Sequence, residues 1–177
     1  MEIRTVGVLG AGQMGAGVAQ VAAMSGYDVI LTDISEAQLE RAKAGIDKSL
    51  SKLVSKERIS AADKDAALAR LSLDTAMSAH SVADLVVEAV TENEPLKLKL
   101  LGELDGLMRD DAILASNTSS ISITRLAAST GRAERFIGMH FMNPVPIMKL
   151  VEVIRGLETS EATYAATRTL AEAMGKT

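Results

Sequence analysis

Four short apolar runs punctuate the chain: Thr5–Leu9 (TVGVL), Asp28–Thr32 (DVILT), Leu85–Ala89 (LVVEA) and Ala112–Ser116 (AILAS). Runs of this length, with β-branched residues, predict buried strands. Between them apolar residues recur every three or four positions. Met14, Val18, Val21 and Ala22 mark a helix over Gln13–Ser25, closed by Gly26. Ser35 and Gln38 have the spacing of a capping box, so a helix starts at Glu36 and runs to about Val54. Ser60 and Asp63 open another, through Leu71. Pro95 suits the first turn of a helix to Met108. Shorter helical patterns cover Ile123–Ser129 and Ser160–Met174, the latter capped by Gly175. Phe136–Met142 and Lys149–Ile154 read as two further strands. Strands alternate with helices, and the early strands are apolar throughout. This predicts an α/β protein with a doubly wound, mostly parallel sheet of Rossmann type. With no repeat or linker, residues 1–177 read as one domain with a helical excursion at about 36–71.

Composition then narrows the chemistry. Lys+Arg number 19 and Asp+Glu 23, a net charge of −4, and no Trp is present, which argues against nucleic-acid binding. There is no cysteine and only two histidines, His80 and His140, so thiolate and multi-histidine metal sites are ruled out. No apolar run reaches the length of a membrane span. The first strand begins within a few residues of Met1, leaving no room for a leader. Together with the missing cysteines, this predicts a cytoplasmic protein.

Gly10-Ala11-Gly12-Gln13-Met14-Gly15 is a G-x-G-x-x-G between a strand and a helix. Gly10 allows the tight turn, Gly12 lets backbone approach a pyrophosphate, and Gly15 permits close helix–strand packing. The helix N-terminus offers free N–H groups to phosphates. Asp33 ends the second strand, where it can accept both ribose hydroxyls and would repel a 2′-phosphate; this favours NAD over NADP. Lys48, Lys52 and Lys56 form a basic stripe, with Arg41 before them. The stripe is either a solvated helix face or a dock for a polyphosphate tail. His140 and Glu152 lie on neighbouring strand ends and can form an acid–base dyad; a histidine satisfied by backbone is the alternative. Asn117-Thr118-Ser119-Ser120 follows a strand at the ligand edge, where hydroxyls hold a substrate oxygen or cap a helix. Glu92 and Lys97 flank a helix start at the same edge and read as a charge pair. Asp105, Asp110, Asp111 and His80 read as surface residues.

Taken together, VGVLGAGQMGAGVAQ, DLVVEAVTEN, ILASNTSSISIT and IGMHFMNPVPIMKLVEVIRG resemble the 3-hydroxyacyl-CoA dehydrogenase family, on its bacterial 3-hydroxybutyryl-CoA branch. The resemblance covers nearly the whole chain. It implies NAD-dependent, reversible oxidation of an (S)-3-hydroxyacyl-CoA to the 3-oxoacyl-CoA. It assigns His140 as the base, Glu152 as its orienting partner and Ser119 as the contact to the substrate oxygen. Glu92, Lys97, Asn117, Ser119 and Asn143 would lie at the cofactor, Asn143 also at the substrate, and Lys52 and Lys56 at the CoA phosphates. Family members carry a second, all-helical domain that forms a homodimer; this chain lacks it, which implies an exposed apolar patch. Two alternatives stand beside this reading: a binding module without turnover, and a dehydrogenase of free 3-hydroxy acids. The presence of Ser119, His140 and Glu152 argues against the first, and the lysine stripe against the second.

Overall fold

The computed structural model describes residues 1–177. Seven strands form one sheet: β1 (Thr5–Leu9), β2 (Asp28–Thr32), β3 (Leu71–Asp74), β4 (Leu85–Glu88), β5 (Ile113–Ser116), β6 (Phe136–Phe141) and β7 (Val151–Arg155). Their order is β3-β2-β1-β4-β5-β6-β7. All neighbours are parallel except β6 and β7, which run antiparallel. The helices are α1 (Gln13–Met24), α2 (Glu36–Ser55), α3 (Ala61–Arg70), α4 (Glu94–Leu107), α5 (Ile123–Ala127) and α6 (Glu161–Ala173). No helix is long and apolar enough to cross a membrane.

The two-residue period of the strands sorts their side chains onto two apolar layers. Val6, Val8, Leu31, Val87 and Ala115 pack with Val18 and Ala22 of α1, Ile46 and Leu50 of α2 and Leu170 of α6. The residues between them, Val86 and Leu114, face the other way. They join Leu9 and Phe136 against Leu101 and Leu104 of α4 and Leu126 of α5. The order of strand addition switches sides between β1 and β4, with β2 and β3 on one side and β4 to β7 on the other. That is the crevice at which open parallel sheets bind ligands.

Four expectations change. The helix ending at Leu71 stops at Arg70, and Leu71–Asp74 is a strand at the sheet edge, paired with β2. Ser35 caps α2 by accepting from Gln38 N–H at 3.2 Å. The reciprocal half of the box is absent because Ser35 N–H donates to Asp33 Oδ1 at 2.9 Å; a full capping box forms instead at Ser60 and Asp63. His80 is no surface residue. It lies in a short 3-10 helix, Met77–Val82, fully buried, its Nε2 2.7 Å from Thr32 Oγ1. The imidazole fills the space that Gly7 leaves open: a Cβ on Gly7 would sit 2.4 Å from Nδ1. Nδ1 has no partner, and burial lowers the His80 pKa to about 4. Asp105 is likewise half-buried, paired with the Arg132 guanidinium, which also donates to the carbonyls of Asp105, Met108, Arg109 and Ala112 where α4 ends.

Candidate active site

At the C-terminal end of β1, Gly10 has φ +104°, a conformation that strains any residue with a Cβ. Gly15 lies so close beneath it that a Cβ would come within 1.7 Å of Gly10 O. Gly12 is the N-cap of α1 and a Cβ there would meet only open space. The first N–H groups of α1 therefore face a gap wide enough for a ligand to reach backbone. Gln13 is exposed and Met14 half-buried at this helix start. The Asp33 carboxylate is already aimed at the turn, with Oδ2 accepting from Ala11 N–H at 2.9 Å. Its remaining lone pairs suit a diol. Ile34, next in the chain, is 93% exposed.

The turns after β4 and β5 form one hydrogen-bonded unit. Glu92 Oε2 accepts from Ser119 N–H and from the Ser119 hydroxyl, each at 2.9 Å, and Oε1 accepts from Thr118 Oγ1 at 2.7 Å. Partial burial works against the Glu92 charge. The bonds from Ser119 and Thr118, with the Lys97 ammonium nearby, outweigh it and hold the carboxyl below the ordinary glutamate range. Lys97 is not open to a ligand: 2% exposed, it donates to Glu88 Oε2 at 2.6 Å and Val90 O at 3.0 Å, with Glu92 Oε1 3.6 Å away. Any influence it has on a cofactor passes through Glu92.

His140 and Glu152 are register partners across the β6–β7 ladder. Their side chains share one face, with Nδ1 3.6 Å from Oε1. That exceeds a hydrogen bond but suits an ion pair with a protonated imidazole. Asn117 spends its side-chain carbonyl on Phe141 N–H at 2.8 Å, tying the β5 turn to the strand end that carries His140. After β6, the segment Asn143–Met148 folds back over α1. Val145 packs where a Cβ on Gly17 would clash at 2.7 Å. Lys176, buried near the chain end, donates from Nζ to Val145 O and Met148 O, both at 2.6 Å. Burial lowers its pKa.

Two clefts flank this segment. One, of about 390 Å³, lies between α1 and α2 and is lined by Gly12, Gln13, Arg41 and Asn143. The other, of about 930 Å³, holds Lys52, Lys56, Arg58 and Lys149. Both are bordered by Ser49, Pro144 and Pro146, so the clefts adjoin. Lys48 lies outside both linings. The structure thus brings Glu92, Lys97 and Ser119 together, pairs His140 with Glu152, and sets Lys52 and Lys56 along the next cleft. Sequence reasoning missed Glu88 and Ser116, both fully buried beneath the Ser119 turn. A carboxylate closing the otherwise apolar run LVVE was the available signal.

Residues 5–177 match the family described as "3-hydroxyacyl-CoA dehydrogenase, NAD binding domain". The chain is 48% identical over 174 residues to a 3-hydroxybutyryl-CoA dehydrogenase of Bradyrhizobium diazoefficiens, covering 98% of this chain and 59% of that protein. It is 45% identical to a fatty acid oxidation complex subunit alpha of a Psychrobacter species, covering 99% of this chain and 24% of the relative. It superimposes on the crystal structure of an (S)-3-hydroxybutyryl-CoA dehydrogenase from Ralstonia eutropha with a TM-score of 0.97. Identity there is 52%, over 99% of this chain and 62% of that one. The chain therefore spans about three-fifths of the length of the 3-hydroxybutyryl-CoA dehydrogenases it matches. On sequence and fold alike, it belongs to the NAD-binding domain family of the 3-hydroxyacyl-CoA dehydrogenases.

Proposed function

We propose that this chain carries the catalytic NAD-binding part of an enzyme that reversibly oxidises an (S)-3-hydroxyacyl-CoA, with 3-hydroxybutyryl-CoA as the short-chain substrate, to the 3-oxoacyl-CoA. The observation that carries the reading is the His140–Glu152 pair. His140 stands on β6, next to β5, whose turn presents Ser119, and Glu152 stands opposite it on β7.

NAD, when bound, accepts the hydride from C3 of the substrate. The cradle for it is the Gly10–Gly15 turn, with the α1 N-terminus for the pyrophosphate and Asp33 for the adenosine ribose. His140 takes the C3 hydroxyl proton on Nε2 as the carbonyl forms, and returns it in the reverse direction. Glu152, 3.6 Å away on the Nδ1 side, orients the ring. The Ser119 hydroxyl contacts the substrate oxygen. Glu92, holding Ser119, contacts the nicotinamide ribose, and Asn143 borders the substrate cleft. Lys52 and Lys56 hold the CoA phosphates. Binding energy gained at that distance serves to place C3 against His140.

The family resemblance extends the proposal to a bacterial cytoplasmic homodimer joined through a helical domain beyond these residues. The exposed side chains of Ile147, Met148, Leu150 and Leu157, around β7, supply apolar surface for it. Mixing the chain with NADH and acetoacetyl-CoA tests the reaction. Consumption of NADH is expected; tight NADH binding without consumption overturns the catalytic reading for this chain and leaves a binding module.

A further inference from the structure

We propose that Glu88 is a positioning residue for this reaction, holding the two turns that bear Glu92 and Ser119 in fixed relation to each other. The proposal rests on the dehydrogenase reading above. Glu88 is the last residue of β4 and is fully buried. Its carboxylate accepts from three separate segments. Oε2 takes Lys97 Nζ of α4 at 2.6 Å and Val90 N–H of the β4–α4 turn at 2.8 Å; Oε1 takes Ser116 Oγ at the end of β5 at 2.6 Å.

Two routes lead from Glu88 to the same point. Through Lys97, the ammonium grips Val90 O and faces Glu92 Oε1. Through Ser116, the hydroxyl oxygen accepts from Thr118 N–H at 3.3 Å, and Thr118 Oγ1 donates to Glu92. Glu92 in turn holds Ser119 by both N–H and hydroxyl. The bonds close a ring that spans two neighbouring strands. A buried ion pair adds little net stability over apolar packing of the same volume. What the carboxylate adds is direction: it sets where the β4 turn lies relative to the β5 turn. Displacement of a reacting group by about 1 Å costs on the order of a hundredfold in rate. A charged strut beneath Ser119 guards against that displacement.

The experiment compares wild type, Glu88→Gln and Ser116→Ala in the acetoacetyl-CoA assay and in NADH titrations, with circular dichroism melts to verify folding. Glu88→Gln keeps the size of the side chain but no longer opposes the Lys97 charge. Ser116→Ala removes only the second route and is the milder change. The expected result is a kcat lower by about tenfold in the first and about threefold in the second, with the acetoacetyl-CoA KM within about twofold. Folded variants that both keep wild-type kcat and NADH affinity overturn the proposal, as does a loss that merely follows melting temperature. If wild type binds NADH without consuming it, the dehydrogenase reading fails instead, and NADH affinity decides Glu88. A Kd about fivefold weaker in Glu88→Gln supports a strut for Glu92, and an unchanged Kd overturns it.

Discussion

Acid should destabilise this protein through His80 before most of its carboxylates are protonated. The imidazole shares one hydrogen bond, between Nε2 and Thr32 Oγ1, and its Nδ1 has no partner beside Gly7. In the imidazolium both ring nitrogens are donors, so a buried charge would form with the Nδ1 proton unreceived. Its pKa therefore falls from 6.5 to about 4, desolvation outweighing the opposite pull of Asp74. The native pKa is the lower of the two, so the unfolded chain binds the proton first. The His80 contribution to stability is lost as pH falls from about 6.5 to about 4 and changes no further below that. A gap of about 2.5 pKa units corresponds to roughly 3 kcal/mol, a large share of a typical domain's stability. Urea unfolding of wild type and His80→Gln at pH 7 and pH 4.5 isolates this contribution. Wild type should lose about 2.5 kcal/mol more than the variant over that interval. Equal losses in the two proteins would refute the argument.

Other predictions concern the ligand edge. His140→Gln should lower turnover at least about a hundredfold while leaving NADH affinity within about twofold, because a general base acts only on the proton; kinetics and NADH titration measure the two separately. Replacing Lys52 and Lys56 together by alanine should raise the KM for acetoacetyl-CoA about tenfold or more with little change in kcat, the mark of a remote charge contact. An unchanged KM removes the phosphate contact from the mechanism. Gly15→Ala should abolish NADH binding and lower the melting temperature by several degrees, because the new Cβ meets Gly10 O, a backbone atom that cannot swing away.

The fold was legible where pattern and length agreed. Buried strands such as DVILT and LVVEA need apolar residues on both faces. β3 escaped because LSLD is four residues long and half-exposed. Leu71, four positions after Ala67, also continues the spacing of α3. His80 escaped because its burial depends on a residue distant in sequence. Gly7, a glycine inside an apolar strand, marked a close approach, but not what would approach. At the site, residue types announced the glycine turn and the His140–Glu152 pair. They could not show that Lys97 points inward at Glu88, because a lysine in the first turns of a helix is as compatible with solvent as with a buried partner.

The antiparallel register of the last two strands bears on how this protein comes into being. β1 lies inside the sheet beside the central strand β4, and the strands made after β4 add outward on one side, ending with β7. Chains begin to fold as they are synthesised, earlier segments first. His140 leaves the ribosome twelve residues ahead of Glu152, and meets it only when β7 docks along β6. A nascent chain can thus hold the glycine turn and the Ser119 turn while the His140–Glu152 pair is still incomplete; under the proposed function, the means to bind precede the means to react.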